Sequence, residues 1–225
     1  MKIWALNTKA STHTLGNKTS ICAVKFHPTK RHELVFGSAG MYLGFLLSLA
    51  ELVDHKMSYY DLRNTKLPVA QFTAHTKAVS YVKFVSDTEI LSASTDCTLR
   101  TWNVPTLPNE ISDFKTQITK SFRHKYTGHK NEKNFVGLGA STSGDYFATG
   151  SEDNSVYIYS KELSNSWITT PFGQPLNTFR VNTAAQNNAA NSNPHFVSCV
   201  SWNKSTDSQL ISGNSAGLVN IYELL

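Results

Sequence analysis

Short runs of alternating apolar and polar residues dominate the chain, and turn-forming residues separate them. The clearest example lies between Lys77 and Asn103, where KAVSYVKF, EILSASTD and TLRTWN follow one another. β-Branched and aromatic residues prevail in these runs, which is typical of half-buried strands. An Ala74-His75 pair stands just upstream. This succession predicts one blade of a β-propeller built from tryptophan–aspartate repeats.

The same succession recurs along the chain and divides it into predicted units. These units are the end of a blade at 1–17, and then 18–73, 74–127, 128–175 and 195–225. The last unit stops after a third strand, and propellers close by completing such a blade with a strand from elsewhere in the chain. We therefore expect an all-β fold, a partial WD40 propeller of about four blades and the end of a fifth, weakly stable on its own.

Three segments depart from the repeat. Pro105 opens a predicted polar loop that runs to about Thr119, and residues 174–194 predict a long flexible loop because they are polar and lack periodicity. The third segment, Met41–Val53, interrupts a predicted blade at 18–73 and is too short to span a bilayer. Three interpretations stay open for it: a buried or interfacial segment, a partner-binding amphipathic helix, or a surface excursion or gene-model error.

The composition suits a globular intracellular protein. Of the 225 residues, 40% are apolar and 11% aromatic, which is enough for a sizeable core. The net charge is +5 without a dense basic run, so we expect either a solvated surface or a face that attracts acidic peptides or phosphates. Neither a nucleic-acid stripe nor a membrane segment is evident. The N-terminus lacks the apolar region of a signal peptide.

The three cysteines, Cys22, Cys97 and Cys199, form no CxxC pair, so the sequence predicts neither a zinc site nor a redox motif. Their sparse, odd number fits a reducing compartment. Because Cys22 and Cys199 fall in apolar runs, we expect both in the core.

His75, Asp96 and either Ser92 or Ser94 have the residue types of a Ser/His/Asp hydrolase. In a blade these residues, together with Trp102, form a structural network that satisfies buried polar groups. The second interpretation is favoured because the arrangement recurs in the next unit.

His129 and Asp153 repeat the pattern there, with Tyr159 at the Trp position. A network that recurs in successive units is architecture and not a unique active site. Walker, HExxH, GxSxG and EF-hand motifs are not found in the sequence. We therefore predict no enzyme activity, no cofactor and no metal.

His55, Lys77 and Phe135 stand at or near the starts of predicted strands, on the face where propellers bind partners. They offer a hydrogen-bond donor, a cation and an apolar platform, respectively. The alternative is that all three are ordinary loop residues.

Several stretches are more specific than a generic repeat. They are YYDLRN (59–64), AHTKAVSYVKF (74–84), LSASTDCTLRTWN (91–103), GHKNEKNFVGL (128–138), GSEDNSVYIYSKE (150–162) and FVSCVSWN (196–203). Together they resemble the C-terminal propeller of the constitutive photomorphogenesis ubiquitin ligase and its partners, the suppressor-of-phytochrome-A proteins. The resemblance runs from Met1 to Leu225, except for Met41–Val53 and the two long loops.

The resemblance implies a function. The family propeller has seven blades and is a substrate receptor, which binds peptides with a Val-Pro pair behind acidic residues. The matching groove positions are Lys77, Phe135 and, if Met41–Val53 is an insertion, His55. Lys77 would pair with the acidic part of the peptide and Phe135 would pack on the Val-Pro pair. Partners would be transcription factors and photoreceptors, bound for ubiquitin-dependent degradation.

The resemblance also implies assembly with other proteins. Asp61-Leu62-Arg63 resembles the end of the box that docks cullin-4 adaptor proteins, although a plain strand end is the alternative. Other members of the photomorphogenesis family would be partners in a longer parent. Because the RING and kinase-like segments of the family are not found in the sequence, we expect a non-catalytic recognition part, nuclear or else cytoplasmic. The rival hypothesis is a generic assembly scaffold without a peptide groove.

Overall fold

A computed structural model describes residues 1–16, 19–40, 55–107, 115–162, 167–171, 177–179 and 195–223. The Met41–Val53 segment and most of the predicted 174–194 loop lie outside these residues. The described ranges form strands and turns and contain no helix, so they hold no helix that could cross a membrane. The predicted all-β class is confirmed.

The strands are β1 (Lys2–Ile3), β2 (His13–Thr14), β3 (Ser20–Phe26), β4 (Glu33–Ala39), β5 (Met57–Asp61), β6 (Ala70–Phe72), β7 (Val79–Ser86), β8 (Glu89–Ser94), β9 (Thr98–Asn103), β10 (Gln117–Thr119), β11 (His124–Tyr126), β12 (Leu138–Ala140), β13 (Tyr146–Gly150), β14 (Ser155–Ser160), β15 (Trp167–Pro171), β16 (Asn177–Phe179), β17 (Val197–Trp202), β18 (Gln209–Asn214) and β19 (Val219–Glu223).

Hydrogen bonds join these strands into separate sheets. β1 and β2 form a two-stranded sheet, and the others have the orders β10-β6-β5-β4-β3, β11-β9-β8-β7, β12-β13-β14-β15 and β16-β19-β18-β17. From β3 to β6 and from β12 to β15, each strand pairs antiparallel with the one before it. Strands that follow one another in the chain are usually neighbours in a sheet, and these sheets follow that rule.

Compact packing divides the chain into two units. The first comprises Met1–Asp96 and Thr101–Arg123, and the second comprises Cys97–Arg100 and His124–Leu225. The first unit thus holds β1 to β8 and β10. The second holds β11 to β19, and β9 contributes residues to both.

The hairpin of β4 and β5 is paired right up to residues 41–54, which lie outside the described residues. Gly37 is the register partner of Met57. Closer to the gap, the Gly40 amide donates to Nδ1 of His55 at 3.1 Å. The two flanks of the segment therefore meet as the arms of a β-hairpin do.

Each unit has a core of buried side chains from successive sheets. In the first unit the core residues are Val35, Met57, Tyr59, Val69, Ala70, Phe72, Val79, Val82, Ile90 and Trp102. In the second they are Ala148, Val156, Ile158, Val197, Val200, Trp202, Leu210 and Tyr222. Full burial of one large apolar side chain contributes about 1.5–3 kcal/mol to stability. The cores therefore hold one sheet against the next within each unit.

Two glycines allow neighbouring sheets to approach closely. A Cβ at Gly37 in β4 would lie 2.6 Å from Cγ1 of Val79 in β7. A Cβ at Gly150, the last residue of β13, would lie less than 3.0 Å from the carbonyl oxygens of Val136 and Val197. Real Cβ contacts are essentially never that short, so only a residue without a side chain fits at either position.

The inner strand of the sheet that follows Gly128 starts later than the sequence predicts. Phe135 to Leu138 is the predicted strand, but β12 runs from Leu138 to Ala140. Gly137 has a φ of 78°, and a Cβ there would lie 2.8 Å from Cα of Cys199. The left-handed conformation at Gly137 bends the chain before the strand begins. Phe135 therefore lies in the loop before β12.

Both long loops contain short strands that the sequence does not reveal. Within the Pro105–Thr119 loop, β10 pairs parallel with β6, so that Gln117 faces Ala70. Within the 174–194 loop, β16 pairs antiparallel with β19. The prediction that the last sheet ends with three strands is therefore wrong, because β16 supplies a fourth.

The prediction that Cys199 lies in the core is also wrong. Cys199 is exposed, and Cys22 is only half buried. The pairing of β17 with β18 shifts between Val197 and Cys199. This bulge breaks the alternation of the strand, so that Val197 and Val200 face the core while Cys199 does not.

Gly150→Ala tests the close approach of the sheets. We expect a loss of about 1–3 kcal/mol in the free energy of unfolding, because backbone atoms must shift to accept the methyl group. Urea denaturation measures the difference. Gly16→Ala is the matched control, since no atom lies within 4 Å of its Cβ, and it should stay within about 0.5 kcal/mol of the wild type. Equal stability of Gly150→Ala and Gly16→Ala would contradict the packing argument.

Candidate functional site

Four side chains of the first unit form one hydrogen-bonded network. Nδ1 of His75, before β7, lies 3.0 Å from Oδ2 of Asp96, and its Nε2 lies 2.8 Å from Oγ of Ser92. The indole of Trp102 donates to the same Ser92 oxygen at 2.9 Å. Asp96 also accepts a hydrogen bond from the Thr76 amide at 3.1 Å. The network joins the loop before β7 to the turn after β8, and it satisfies polar groups that the core would otherwise leave unpaired.

The network has the residue types of a hydrolase but not the access that a hydrolase needs. Ser92 is 0% exposed and His75 is 6% exposed. The Ser92 oxygen is already the acceptor of the Trp102 indole. A nucleophile must reach a substrate atom, and Ser92 is closed to solvent, so the structural interpretation stays the favoured prediction.

Ser94 fixes the backbone of Lys77, the residue predicted to bind acidic peptides. Its hydroxyl donates to the Lys77 carbonyl at 3.1 Å and accepts from the Asp96 amide at 3.1 Å. In addition, the Thr95 amide donates to the Ala78 carbonyl at 3.0 Å. The backbone of Lys77 is thus fixed by the turn that contains Asp96, whereas the Lys77 side chain is exposed.

In the next repeat, two tyrosine hydroxyls form the hydrogen bonds to the histidine and the aspartate. His129 Nδ1 lies 2.9 Å from the Tyr159 hydroxyl. The Asp153 carboxylate accepts from the Tyr157 hydroxyl at 2.8 Å and from the Ser155 amide at 3.0 Å. His129 and Asp153, which the sequence predicts as a second pair, are thus each tied to a tyrosine of β14.

Glu152 fixes the loop that leads to Phe135. Its Oε1 accepts hydrogen bonds from the amides of Lys133 and Asn134, both at 2.7 Å. Burial disfavours the charged form, but these amide donors outweigh burial and hold the pKa of the Glu152 carboxyl below its usual range. Phe135 follows this loop and is 52% exposed.

His55 lies just before β5 and is half buried. Its Nδ1 accepts a hydrogen bond from the Gly40 amide, so the neutral ring carries its proton on Nε2. The groove role that the sequence predicts for His55 stays a prediction.

The three predicted groove residues share one position relative to the strands. His55, Lys77 and Phe135 lie two or three residues before β5, β7 and β12, respectively. His55 and Lys77 belong to the first unit and Phe135 to the second. Their joint function stays a prediction.

Asp61 and Arg63 form a tight ion pair at the end of β5. Nη2 of Arg63 lies 2.6 Å from Oδ2 of Asp61, and Nε donates to both carboxylate oxygens. Burial raises the pKa of the Asp61 carboxyl, but the Arg63 side chain and amide outweigh burial and hold the pKa below its usual range. The Asp61 side chain is 2% exposed, whereas that of Arg63 is 59% exposed. Arg63 thus presents a guanidinium of fixed orientation at the surface.

Comparison with known proteins identifies the class first. The family model of the WD domain, G-beta repeat, matches residues 66–103 and 120–160. The β-propeller domain of Cps50 (Swd1) from Myceliophteria thermophila has a TM-score of 0.64 and 15% identity, over 92% of this chain and 52% of that one. The WD40 propeller of Doa1 has a TM-score of 0.62 and 16% identity, over 98% of this chain and 56% of that one. The chain is a WD40-repeat protein with part of a propeller fold.

Relatives of higher identity narrow the class to a family. Over 100% of this chain, the E3 ubiquitin-protein ligase COP1 of Pisum sativum is 38% identical, and Protein SPA1-RELATED 3 of Arabidopsis thaliana is 36% identical. The chain spans only 28% and 23% of these relatives. The predicted resemblance is confirmed: the chain belongs to the constitutive photomorphogenesis and suppressor-of-phytochrome-A family, and it is a protein-interaction module of WD40 type.

Sequence reasoning missed the positioning roles of two residues at the candidate site, although it named Ser94 for the His75 network. Ser94 fixes the backbone of Lys77, and Glu152 fixes the loop before Phe135. Both lie at the end of a second strand or in the turn after it. A polar residue at this position of each repeat is the signal that could have revealed them.

Ser92→Ala tests the network. The variant leaves the His75 ring and the buried Trp102 indole without their shared partner, so we expect a loss of about 1–3 kcal/mol in the free energy of unfolding. Urea denaturation measures it, with the exposed Ser205→Ala as control. In the Ser92→Ala background, Trp102→Phe should lower the free energy of unfolding by less than it does in the wild type. Additive losses would show that the two residues do not interact.

Proposed function

We propose that this chain recognises peptides for a ubiquitin ligase complex of the photomorphogenesis type and is itself non-catalytic. Its ligands are peptides with a Val-Pro pair behind acidic residues, bound by His55, Lys77 and Phe135. Similarity to COP1 over the whole chain supports the proposal. The observation that carries it is the exposed ammonium of Lys77 on a backbone that Ser94 holds in place.

The chemistry of the three residues suits such a peptide. Lys77 supplies a cation for the carboxylates, and complementary charge speeds association and fixes register. Phe135, 52% exposed, offers an apolar face for the Val-Pro pair. Because Ser94 and Glu152 hold the backbone on which Lys77 and Phe135 are presented, little conformational freedom is lost there on binding.

Titration of an acidic Val-Pro peptide against Lys77→Glu tests the assigned groove. We expect an affinity at least about tenfold lower than that of the wild type, because an attraction becomes a repulsion. Calorimetry or fluorescence anisotropy measures the affinity. Lys66→Glu is the matched control, since Lys66 is an exposed lysine of the same unit outside the assigned groove. Unchanged affinity of Lys77→Glu would overturn the assigned groove and favour a generic scaffold. Equal losses of affinity in both variants would show that the peptide responds only to the net charge of the protein.

Adaptor docking through Asp61 and Arg63 is a second part of the proposal. The exposed guanidinium of Arg63, held by Asp61, is pre-oriented for a carboxylate or carbonyl group of a partner. This geometry suits the docking role that the resemblance implies for a cullin-4 adaptor.

Arg63→Gln tests the docking role. We expect the variant to retain several-fold less of a purified cullin-4 adaptor in a pull-down, because it lacks the charged fork. Arg31→Gln, another exposed arginine of the first unit, is the control. Unchanged retention with a lowered melting temperature would assign the pair to the strand end alone.

A further inference from the structure

A surface cavity lies in the first unit, beside the pairing of β6 with β10. Its volume is about 310 Å³. One wall consists of Ala70 and Phe72 of β6 with Gln117 and Thr119 of β10. The other wall consists of residues 103–106 and 121–123. None of the residues assigned above to the peptide groove lines the cavity.

Hydrogen bonds fix the strand that forms this cavity. The Thr116 hydroxyl donates to the Pro68 carbonyl at 2.8 Å. At the other end of β10, the Thr73 amide donates to the Thr119 carbonyl at 3.0 Å. Both ends of β10 are thus attached to the segment of β6. The cavity therefore has a built wall, not a loose loop, on this side.

Aromatic contacts fix its apolar surface. The rings of Phe72 and Phe122 both pack edge-on against Trp102, with centroid distances of 5.2 and 6.0 Å. Trp102 is itself anchored by its hydrogen bond to Ser92. Phe122 is 37% exposed, so an aromatic face is accessible at the cavity.

Basic side chains border the cavity. Among the described residues that line it, Arg123 alone is charged. The Arg123 side chain is 46% exposed, and its Nη1 forms an ion pair at 3.8 Å with the buried Glu89 carboxylate, so the exposed part of the guanidinium is held in place. Lys115 and Lys120 flank β10 and are exposed. The sequence from Lys115 to Arg123 contains no acidic residue.

We propose that the cavity is a second docking site, which binds an acidic peptide segment of a partner protein. One aromatic side chain of the peptide enters the cavity and contacts Phe122. Flanking carboxylates pair with the exposed guanidinium of Arg123. The volume lies at the small end of the range of about 300–1,000 Å³ for ligand sites, so it suits one bulky side chain and not a large ligand. The aromatic floor and the basic rim together select this chemistry.

Fluorescence anisotropy with the whole chain tests the proposal. The probe is a labelled peptide, Asp-Asp-Trp-Asp-Asp, at low salt, because salt screens exposed charges. We expect Arg123→Gln to weaken binding several-fold, because an attraction is lost, and Arg123→Glu to weaken it at least about tenfold, because an attraction becomes a repulsion. Phe122→Ser should also weaken binding, although Phe122 packs on Trp102. The two charge variants keep the test valid if Phe122→Ser fails to fold.

Ile118→Ser is the matched control. Ile118 is the central residue of β10 and is 70% exposed. It pairs with Gln71 and points to the opposite face from Gln117 and Thr119, because strand residues alternate. This variant should bind the probe like the wild type. A probe with lysines in place of the aspartates should not bind.

Three results would overturn the proposal. The first is unchanged affinity of Arg123→Glu. The second is loss of binding in Lys77→Glu but not in Arg123→Glu, which would place the probe in the peptide groove. The third is no binding of the acidic probe up to about 1 mM, a concentration at which even a weak specific contact gives a measurable signal. Lys77→Glu with wild-type affinity for the probe supports a separate site.

Discussion

Close contact between neighbouring sheets, at positions with no side chain, is the constraint on which each unit depends. Gly37 lets β4 meet Val79, and Gly150 lets β13 meet the backbone at Val136 and Val197. The cores of the two units combine side chains from the sheets that these glycines bring together. A gap of even one methyl group at such a contact would reduce the dispersion energy of many atom pairs at once. Packing at this distance is therefore a condition for burial elsewhere in the unit.

The same arrangement explains why the candidate groove residues can be exposed and yet ordered. In the first unit, Ser94 at the end of β8 bonds to Lys77 in the loop before β7. In the second unit, Glu152 in the turn after β13 bonds to the loop before Phe135. These polar groups fix the backbone, and the side chains of Lys77 and Phe135 are exposed. In the proposed recognition, stability and peptide binding thus use neighbouring residues of the same segment.

The sequence predicts the repeated architecture well because each blade is local. Alternating apolar runs, the His75, Asp96 and Trp102 residues, and the stretches that mark the family all lie within short windows. The parallel pairing of β10 with β6 is different, since its partners are far apart in the chain: the bond from Thr73 to Thr119 beside this pairing spans 46 positions. A three-residue strand with a distant partner leaves no periodic signal. The bulge that exposes Cys199 and the tyrosine hydroxyls that bind His129 and Asp153 likewise depend on geometry that residue types alone do not specify.

The hairpin of β4 and β5 has a practical consequence. Its arms are paired through Gly37 and Met57 and are joined again at Gly40 and His55, on either side of residues 41–54. The entropy of closing a loop grows only slowly with its length, by about 0.6 kcal/mol for each doubling. The span between Gly40 and His55 is therefore a natural point at which to graft a fluorescent reporter or an affinity handle, because the paired arms define where the graft begins and ends.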